Sequence, residues 1–180
     1  MDRQFRSKQG QFTIGGKTHF WRANLERRWA GVLELCKQMP NLSQAILGFK
    51  LQNWFYERHV FRFDDPDLFE VQARAQPKTR GVMEYRPDFK LDKIGGGHIW
   101  HETKRGYLDA RDRTKLTCMH RWYPSQQIIL VLDFVPRGQT TRTRKDRATL
   151  EIIERLGYQL IEARPIIKSL SGWLRQMGIE

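Results

Sequence analysis

Long apolar runs and paired cysteines are both missing from this 180-residue chain. No window approaches the ~18 consecutive apolar residues of a membrane-spanning helix, so we expect no membrane span. The first residues, MDRQFRSKQGQF, lack the apolar segment of a secretory signal, and we expect none. Cys36 and Cys118 stand far apart and outside any C-x-x-C pair, which argues against a zinc cluster or a disulfide framework. We therefore expect buried free thiols and a cytoplasmic protein.

Acidic residues are scarce relative to basic ones. Twenty Asp and Glu oppose 32 Lys and Arg, which gives a formal charge of +12 and a pI near 10.1. A field of this sign attracts polyanions, either nucleic acid or an anionic membrane surface, and arginine suits bidentate phosphate contacts. A basic solvated surface without a partner is the alternative. Apolar residues make up 39% of the chain, with six Trp and ten Phe, which is enough for the core of one compact domain.

The N-terminal segment differs in composition from the rest. Residues 1–22 are basic and contain several glycines, which predicts a mobile arm that orders on DNA, with Trp21 as its best base-stacking residue. From Asn24, a plausible N-cap, apolar residues recur at helical spacing until Pro40. Glu26 lies at the edge of that apolar stripe, where a carboxylate can face a cleft. We divide the chain into an arm, 1–22, and a single domain, 23–180.

Alternating and apolar patterns predict the remaining elements. Residues 51–63 predict one or two strands, 64–81 a loop, and 82–91 and 98–104 two strands joined by a turn at Gly95-Gly96-Gly97. A helix capped by Asp109 is expected to run to about Trp122, followed by a buried strand over 127–134. A polar loop over 136–147, a helix ended by Gly157, a strand over 158–163 and a short helix over 171–177 complete the order. The fold class is α/β, a mixed β-sheet flanked by α-helices.

Three side chains on the two predicted hairpin strands form the most informative motif. Asp88 follows Arg86-Pro87, and Glu102 and Lys104 are two residues apart, so they share one face of a strand. Two carboxylates held close repel each other, and a divalent cation relieves that repulsion. Carboxylate oxygens suit Mg²⁺ or Mn²⁺, and a lysine beside them can stabilise a phosphorane-like transition state. The motif predicts phosphodiester hydrolysis, although an exposed hairpin with a Glu–Lys pair remains the alternative.

The chain resembles the PD-(D/E)xK nuclease superfamily, and within it the phage endonuclease I family of Holliday-junction resolvases. The resemblance extends over roughly residues 22–178. It is carried by Leu25-Glu26, Tyr56-Glu57 with Val60, Tyr85-Arg86-Pro87-Asp88-Phe89, Glu102-Thr103-Lys104, Leu156-Gly157-Tyr158 and Trp173.

This resemblance implies a restriction-endonuclease-like fold and a set of roles. Asp88 and Glu102 would be metal ligands, the backbone carbonyl of Thr103 a third ligand, and Lys104 the catalytic lysine. Glu26 would reach a second Mg²⁺ ion, from its own chain or from a partner subunit. The family implies an intertwined homodimer that cuts branched DNA, and a phage-encoded protein acting in a host cell.

DNA-binding residues are expected among the basic side chains near the motif and in the two basic segments. They are Arg22, Arg105, Arg111, Lys115, Arg137, Arg142, Arg144, Lys145 and Arg147. Two other functions remain open. One is an endonuclease of the same superfamily that acts on ordinary duplex, either sequence-specifically or in recombination. The other is a basic DNA-binding module that does not cut.

Neighbouring side chains have simpler interpretations. Glu84 could be an extra ligand but is more typical of a salt-bridge partner at a strand end. His98 and His101 should lie on opposite faces of their strand, which disfavours a shared metal. Trp29, Trp54, Trp100 and Trp122 are expected in the core rather than stacked on bases.

Overall fold

The computed structural model describes residues 10–21, 23–63, 83–135 and 144–179. Predictions for the beginning of the arm, for the loop over 64–81, and for Arg22, Arg137 and Arg142 lie outside the described residues.

A β-hairpin, rather than a mobile arm, occupies residues 10–21. Strand β1 (Gly10–Ile14) pairs antiparallel with β2 (Lys17–Trp21), and Gly15 and Gly16 form the turn at φ 59° and 74°. Positive φ values are readily adopted by glycine, so the residues that suggested disorder instead close the turn. Trp21 is fully buried and belongs to the same core as the first helix, so it is not available for base stacking.

Two consecutive helices follow the hairpin. The N-cap of helix α1 (Asn24–Gln38) is Ala23, so the prediction that Asn24 caps this helix is wrong. The side-chain Oδ1 of Asn24 instead accepts a hydrogen bond from the guanidinium group of Arg27. Pro40 separates α1 from α2 (Pro40–Leu47), where it occupies the first turn, a position at which its missing N–H costs nothing.

The central sheet has five strands in the order β3-β6-β7-β8-β9. Along the chain come β3 (Leu51–Tyr56), β4 (Phe61–Phe63), β5 (Met83–Tyr85), β6 (Phe89–Lys93) and β7 (His98–Lys104). Helix α3 (Ala110–Trp122), strand β8 (Ile128–Leu132), helix α4 (Arg144–Leu156) and strand β9 (Gln159–Glu162) complete the layered part. Strands β3, β6 and β7 are antiparallel, and β7, β8 and β9 are parallel. Strands β4 and β5 form a separate pair.

Hydrophobic clusters cover both faces of this sheet. The hairpin, α1, α2 and the C-terminal helices α5 (Ala163–Ser169) and α6 (Ser171–Gln176) pack on one face. Helices α3 and α4 and strand β4 pack on the other. All five residues of β8 are buried, as expected of a strand covered on both sides. The prediction of a mixed sheet flanked by helices is confirmed, while the restriction-endonuclease-like arrangement stays a prediction.

Several boundaries differ from the sequence prediction. Residues 144–147 begin α4 instead of extending the polar loop, so Arg144, Lys145 and Arg147 lie on a helix. Helix α5 was not predicted at all. Trp29, Trp54 and Trp100 are buried as expected, but Trp122 is 44% exposed at the end of α3. Both cysteines are buried and free, as predicted. Among the described residues, no helix is long and apolar enough to cross a membrane.

The close contact between α1 and the C-terminal segment predicts a stability effect. A Cβ atom on Gly31 would lie 2.5 Å from Ile179 Cδ1 and 2.7 Å from Leu174 Cδ2. We expect Gly31→Ala to lower the free energy of unfolding by about 1–3 kcal/mol, because the added methyl group would overpack this contact. Gly172→Ala is the control, since a Cβ atom there meets nothing within 4 Å. Equal unfolding midpoints for both variants in urea would contradict this packing.

Candidate active site

The pairing of β6 with β7 brings Asp88 beside Glu102. Phe89 pairs with His101, so Asp88, one residue before β6, lies opposite Glu102. The backbone N–H of Asp88 donates to Glu102 Oε2 at 3.3 Å. Asp88 is 4% exposed and Glu102 is 6% exposed. The two predicted carboxylates are therefore adjacent and buried.

The Asp88 carboxylate is fixed by the strand opposite it. Its Oδ2 accepts hydrogen bonds from the backbone N–H of Thr103 at 2.7 Å and from the Thr103 hydroxyl at 2.6 Å. The backbone carbonyl of Lys104 accepts from Asp133 N, on the β8 side of the strand. Successive residues of a strand direct their backbone N–H and C=O groups to opposite sides. Since the carbonyl of Lys104 faces β8, the carbonyl and the N–H of Thr103 both face the β6 side, where Asp88 lies.

A strained residue holds the Asp88 backbone from the other side. Glu57 has a φ of 46° and is the only non-glycine residue with a positive φ among the described residues. Its N–H donates to the carbonyl of Asp88 at 2.9 Å. A non-glycine residue in the left-handed region costs roughly 1–3 kcal/mol and persists only where its surroundings enforce it. The chain thus tolerates local strain to hold the bend that presents Asp88.

Glu102 is held by a tyrosine and by the predicted lysine. The hydroxyl of Tyr85 donates to Glu102 Oε2 at 3.0 Å, and Lys104 Nζ lies 3.0 Å from Glu102 Oε1. Lys104 Nζ also lies 3.0 Å from Asp112 Oδ1, in the first turn of α3. Lys104 is therefore fixed between two carboxylates at the mouth of the site.

Electrostatics at this site are unfavourable for two ionised carboxylates. Burial raises the pKa of Asp88, and repulsion from Glu26 adds to it, against the pull of the Thr103 hydrogen bonds and Lys104. Burial and repulsion from Asp88 likewise raise the pKa of Glu102, against Lys104 and Tyr85. Burial alone would lower the pKa of Lys104, but the carboxylates of Glu102 and Asp112 outweigh it and raise the pKa. The lysine therefore stays charged.

Glu26 reaches the site from the N-terminal turn of α1. It is 8% exposed, its Oε2 accepts from the Tyr56 hydroxyl at 2.6 Å, and the N–H of Ala23 donates to the same oxygen at 3.4 Å. Its negative charge contributes to the raised pKa of Asp88. Within one chain, Glu26 thus lies near enough to Asp88 to affect its ionisation.

A buried hydrogen bond ties α1 to β7 behind the carboxylates. Trp29 Nε1 donates to His101 Nδ1 at 3.1 Å, and both residues are fully buried. Burial lowers the pKa of His101 to about 3, so the imidazole is neutral at any ordinary pH. His98, at the start of β7, is exposed, and by strand spacing it lies on the opposite face from His101.

The donor set suits a hard divalent cation. Asp88, Glu102 and the carbonyl of Thr103 supply only oxygen atoms, and Mg²⁺ is commonly held by one or two carboxylates, water and substrate phosphate. A cation beside Asp88 and Glu102 would offset the repulsion that raises both pKa values. The described residues contain no group of three or more His, Cys, Asp or Glu side chains arranged to hold a metal ion.

The predicted DNA-binding residues that the structure describes lie in two places, near the end of β7 and the start of α3, and at the start of α4. Arg105 is exposed directly after β7, and Arg111 is exposed one turn from the half-buried Lys115 on α3. Lys115 Nζ lies 5.7 Å from the Tyr85 ring, close to the carboxylates. Arg147 is exposed on α4, away from the loop in which it was expected. DNA contact by each of these residues stays a prediction.

Sequence reasoning missed the groups that support the carboxylates. Tyr85 and Tyr56 were singled out only for the resemblance, although their hydroxyls bind Glu102 and Glu26. Asp112 carried no signal, because its contact with Lys104 depends on where α3 begins. Glu84 is exposed and its Oε1 lies 3.1 Å from Arg62, which confirms the salt-bridge interpretation.

Comparisons of the chain with protein-family models, with curated proteins and with solved structures give no match. Membership of the PD-(D/E)xK superfamily accordingly stays a prediction that rests on the residues quoted above.

The carboxylate pair predicts stabilisation by Mg²⁺. We expect the cation to raise the melting temperature of the wild type, by about 2.7 kcal/mol of stability at roughly 100 times its dissociation constant, or about 5–10 °C. Asp88→Asn should melt at the same temperature with and without Mg²⁺. Asp109→Asn is the control, since Asp109 is an exposed helix cap and Asn caps equally well. An undiminished Mg²⁺ response in Asp88→Asn would contradict the assignment of Asp88 as a ligand.

Proposed function

We propose that this protein is a metal-dependent endonuclease that hydrolyses phosphodiester bonds in DNA. The observation that carries the proposal is the buried pair Asp88–Glu102 with Lys104 Nζ 3.0 Å from one of its oxygens. Burying two like charges side by side is unfavourable for a folded chain, and a bound cation would turn the pair into a binding site. The net charge of +12 supplies the attraction for a polyanionic substrate.

Asp88, Glu102 and the carbonyl of Thr103 would hold Mg²⁺, and Mn²⁺ would substitute. When bound, the metal supplies Lewis acidity and lowers the pKa of water. Glu26 extends the carboxylate set toward a second ion. Thr103 orients Asp88 through two hydrogen bonds, and Tyr85 orients Glu102 through one.

Lys104 has the task of stabilising negative charge on the scissile phosphate. Its ammonium group lies beside Glu102 and is pinned by Asp112, so it needs little reorganisation when a substrate binds. The nearby Lys115 and Arg111 continue the positive charge along α3, where they would contact the DNA backbone.

Branched DNA is the proposed substrate, and a homodimer the proposed active form. Both rest on the resemblance to the Holliday-junction resolvases. A dimer would place two such sites on one junction, so that each junction receives two cuts.

Cleavage of a four-way junction and of a matched linear duplex in Mg²⁺, with and without EDTA, tests the proposal. We expect cutting of the junction only, and only without EDTA. Cutting of both substrates would favour the duplex endonuclease, and binding without cutting in Mg²⁺ or Mn²⁺ would leave a DNA-binding module. In the same assay Lys104→Ala should lower kcat about 100- to 1,000-fold and leave binding unchanged, because the lysine acts on the transition state. Lys168→Ala, an exposed lysine on α5, is the matched control.

Glu26→Gln tests the contribution of the first helix. We expect the Mg²⁺ concentration for half-maximal cleavage to rise on the order of tenfold, as for loss of a supporting metal-site group. The exposed Glu154→Gln on α4 should behave as the wild type. Unchanged Mg²⁺ dependence in Glu26→Gln would return Glu26 to a purely structural role at the start of α1.

A further inference from the structure

A pocket of about 360 Å³ opens beside the proposed active site. Its volume is within the range of ~300–1,000 Å³ that is typical of small-ligand sites. Its lining includes five aromatic rings, of His59, Phe61, His98, Trp100 and Tyr123, and the polar side chains of Lys90 and Gln126.

The pocket and the carboxylates share one face of the sheet. Trp100 and Glu102 are two residues apart on β7, so their side chains point the same way about 7 Å apart. The Phe61 ring stacks on Tyr85 with centroids 6.4 Å apart, and the Tyr85 hydroxyl binds Glu102. A DNA strand with its scissile phosphate at the carboxylates can therefore reach the pocket.

The chemistry of the walls suits a nucleobase. The His59 ring lies 4.9 Å from the Trp100 ring and 4.7 Å from the Phe61 ring. Phe61 and Trp100 are buried beneath His59, so the accessible rings on which a base can stack are those of His59 and Tyr123. Gln126 Oε1 accepts from Trp100 Nε1 at 2.9 Å and lies 3.1 Å from His98 Nε2. This orients the amide so that its nitrogen can donate to a carbonyl oxygen of a base.

Lys90 lines the pocket, and two further basic groups lie close to Lys90 around the Phe55 ring. Phe55 pairs with Lys90 across β3 and β6. The charged groups of Lys17, Arg58 and Lys90 lie 5.0, 5.1 and 5.8 Å from the centre of the Phe55 ring. Lys90 Nζ also lies 3.0 Å from Asp92 Oδ1, but both side chains are partly exposed, so a phosphate can compete for the ammonium group.

We propose that this pocket binds one unpaired deoxynucleotide of the DNA substrate, with the base among the rings and the phosphate against Lys90 and Arg58. The inference rests on the proposed function, since it takes DNA as the ligand. A base within a duplex is covered on both faces and paired on its edge, so it cannot enter without leaving the helix. The pocket thus selects DNA with an unpaired nucleotide close to the scissile phosphate.

Photocrosslinking in EDTA locates the base without any cleavage. The probe is a branched duplex with 5-iododeoxyuridine at one unpaired position beside the branch, and the same duplex with that position paired is its control. We expect the unpaired probe to crosslink to peptides that contain His59, Trp100 or Tyr123, and the paired probe not to. Crosslinks from the unpaired probe that map elsewhere would overturn the proposal.

Binding of the unpaired probe, also in EDTA, gives a second measurement. His59 is exposed whereas Phe61 and Trp100 are buried, so among these three rings it is the one whose replacement affects the core least. His59→Ala should weaken binding about tenfold, as for loss of one stacking ring, while His59→Phe should bind as the wild type. Lys90→Ala should reduce the dependence of log K on log salt by about one phosphate contact. His120→Ala, an exposed histidine on α3, is the control.

These outcomes separate the pocket from the proposed chemistry. A wild type that crosslinks through the pocket but never cuts in Mg²⁺ or Mn²⁺ would refute the endonuclease and support the pocket. Cleavage together with wild-type binding by His59→Ala would refute the pocket and keep the endonuclease. Absence of any DNA binding would overturn both.

Discussion

Two carboxylates, Asp88 and Glu102, share a buried position where β6 begins beside β7 in the central sheet, and most of the surrounding structure counters their repulsion. An isolated buried carboxylate is costly, and a second one beside it more so. The chain offsets this with donors from several directions, namely the Thr103 N–H and hydroxyl, the Tyr85 hydroxyl and the Lys104 ammonium group. Such concentration of cost and compensation is typical of functional sites rather than of structural cores.

The groups that hold this carboxylate pair in place come from both faces of the sheet. On one face, α1 carries Glu26 and is tied to β7 through Trp29 and His101. On the other, α3 carries Asp112 to Lys104, and β5 carries Tyr85 to Glu102. Helices and strands therefore fix the groups that support the pair, while Asp88 itself lies in the bend before β6. Rigid placement is what transition-state stabilisation requires, since a charge that must reorganise contributes less.

Aromatic residues have a different role from the one that composition suggests. Trp21, in the basic N-terminal segment, is predicted to stack on bases, yet it packs on Tyr56 and Phe89 within the core. The rings at the rim of the cavity, His59 and Tyr123 among them, are the ones placed to meet a ligand. In a short sequence window a buried ring and an accessible ring look alike, because accessibility depends on what the rest of the chain packs against them.

The sequence alone was sufficient for features that depend on local periodicity and turn chemistry. The alternation of 98–104, the glycine turn before it and the Asp109 cap predicted β7, its hairpin and α3, and period two placed Glu102 and Lys104 on one face. The tertiary structure decided what depends on distant packing: the hairpin of residues 10–21, the split of 82–91 into β5 and β6, and the contacts of Tyr85, Tyr56 and Asp112 with the site. These contacts join residues 8 to 30 positions apart in the chain. No local pattern encodes them, because they follow from how the helices dock on the sheet.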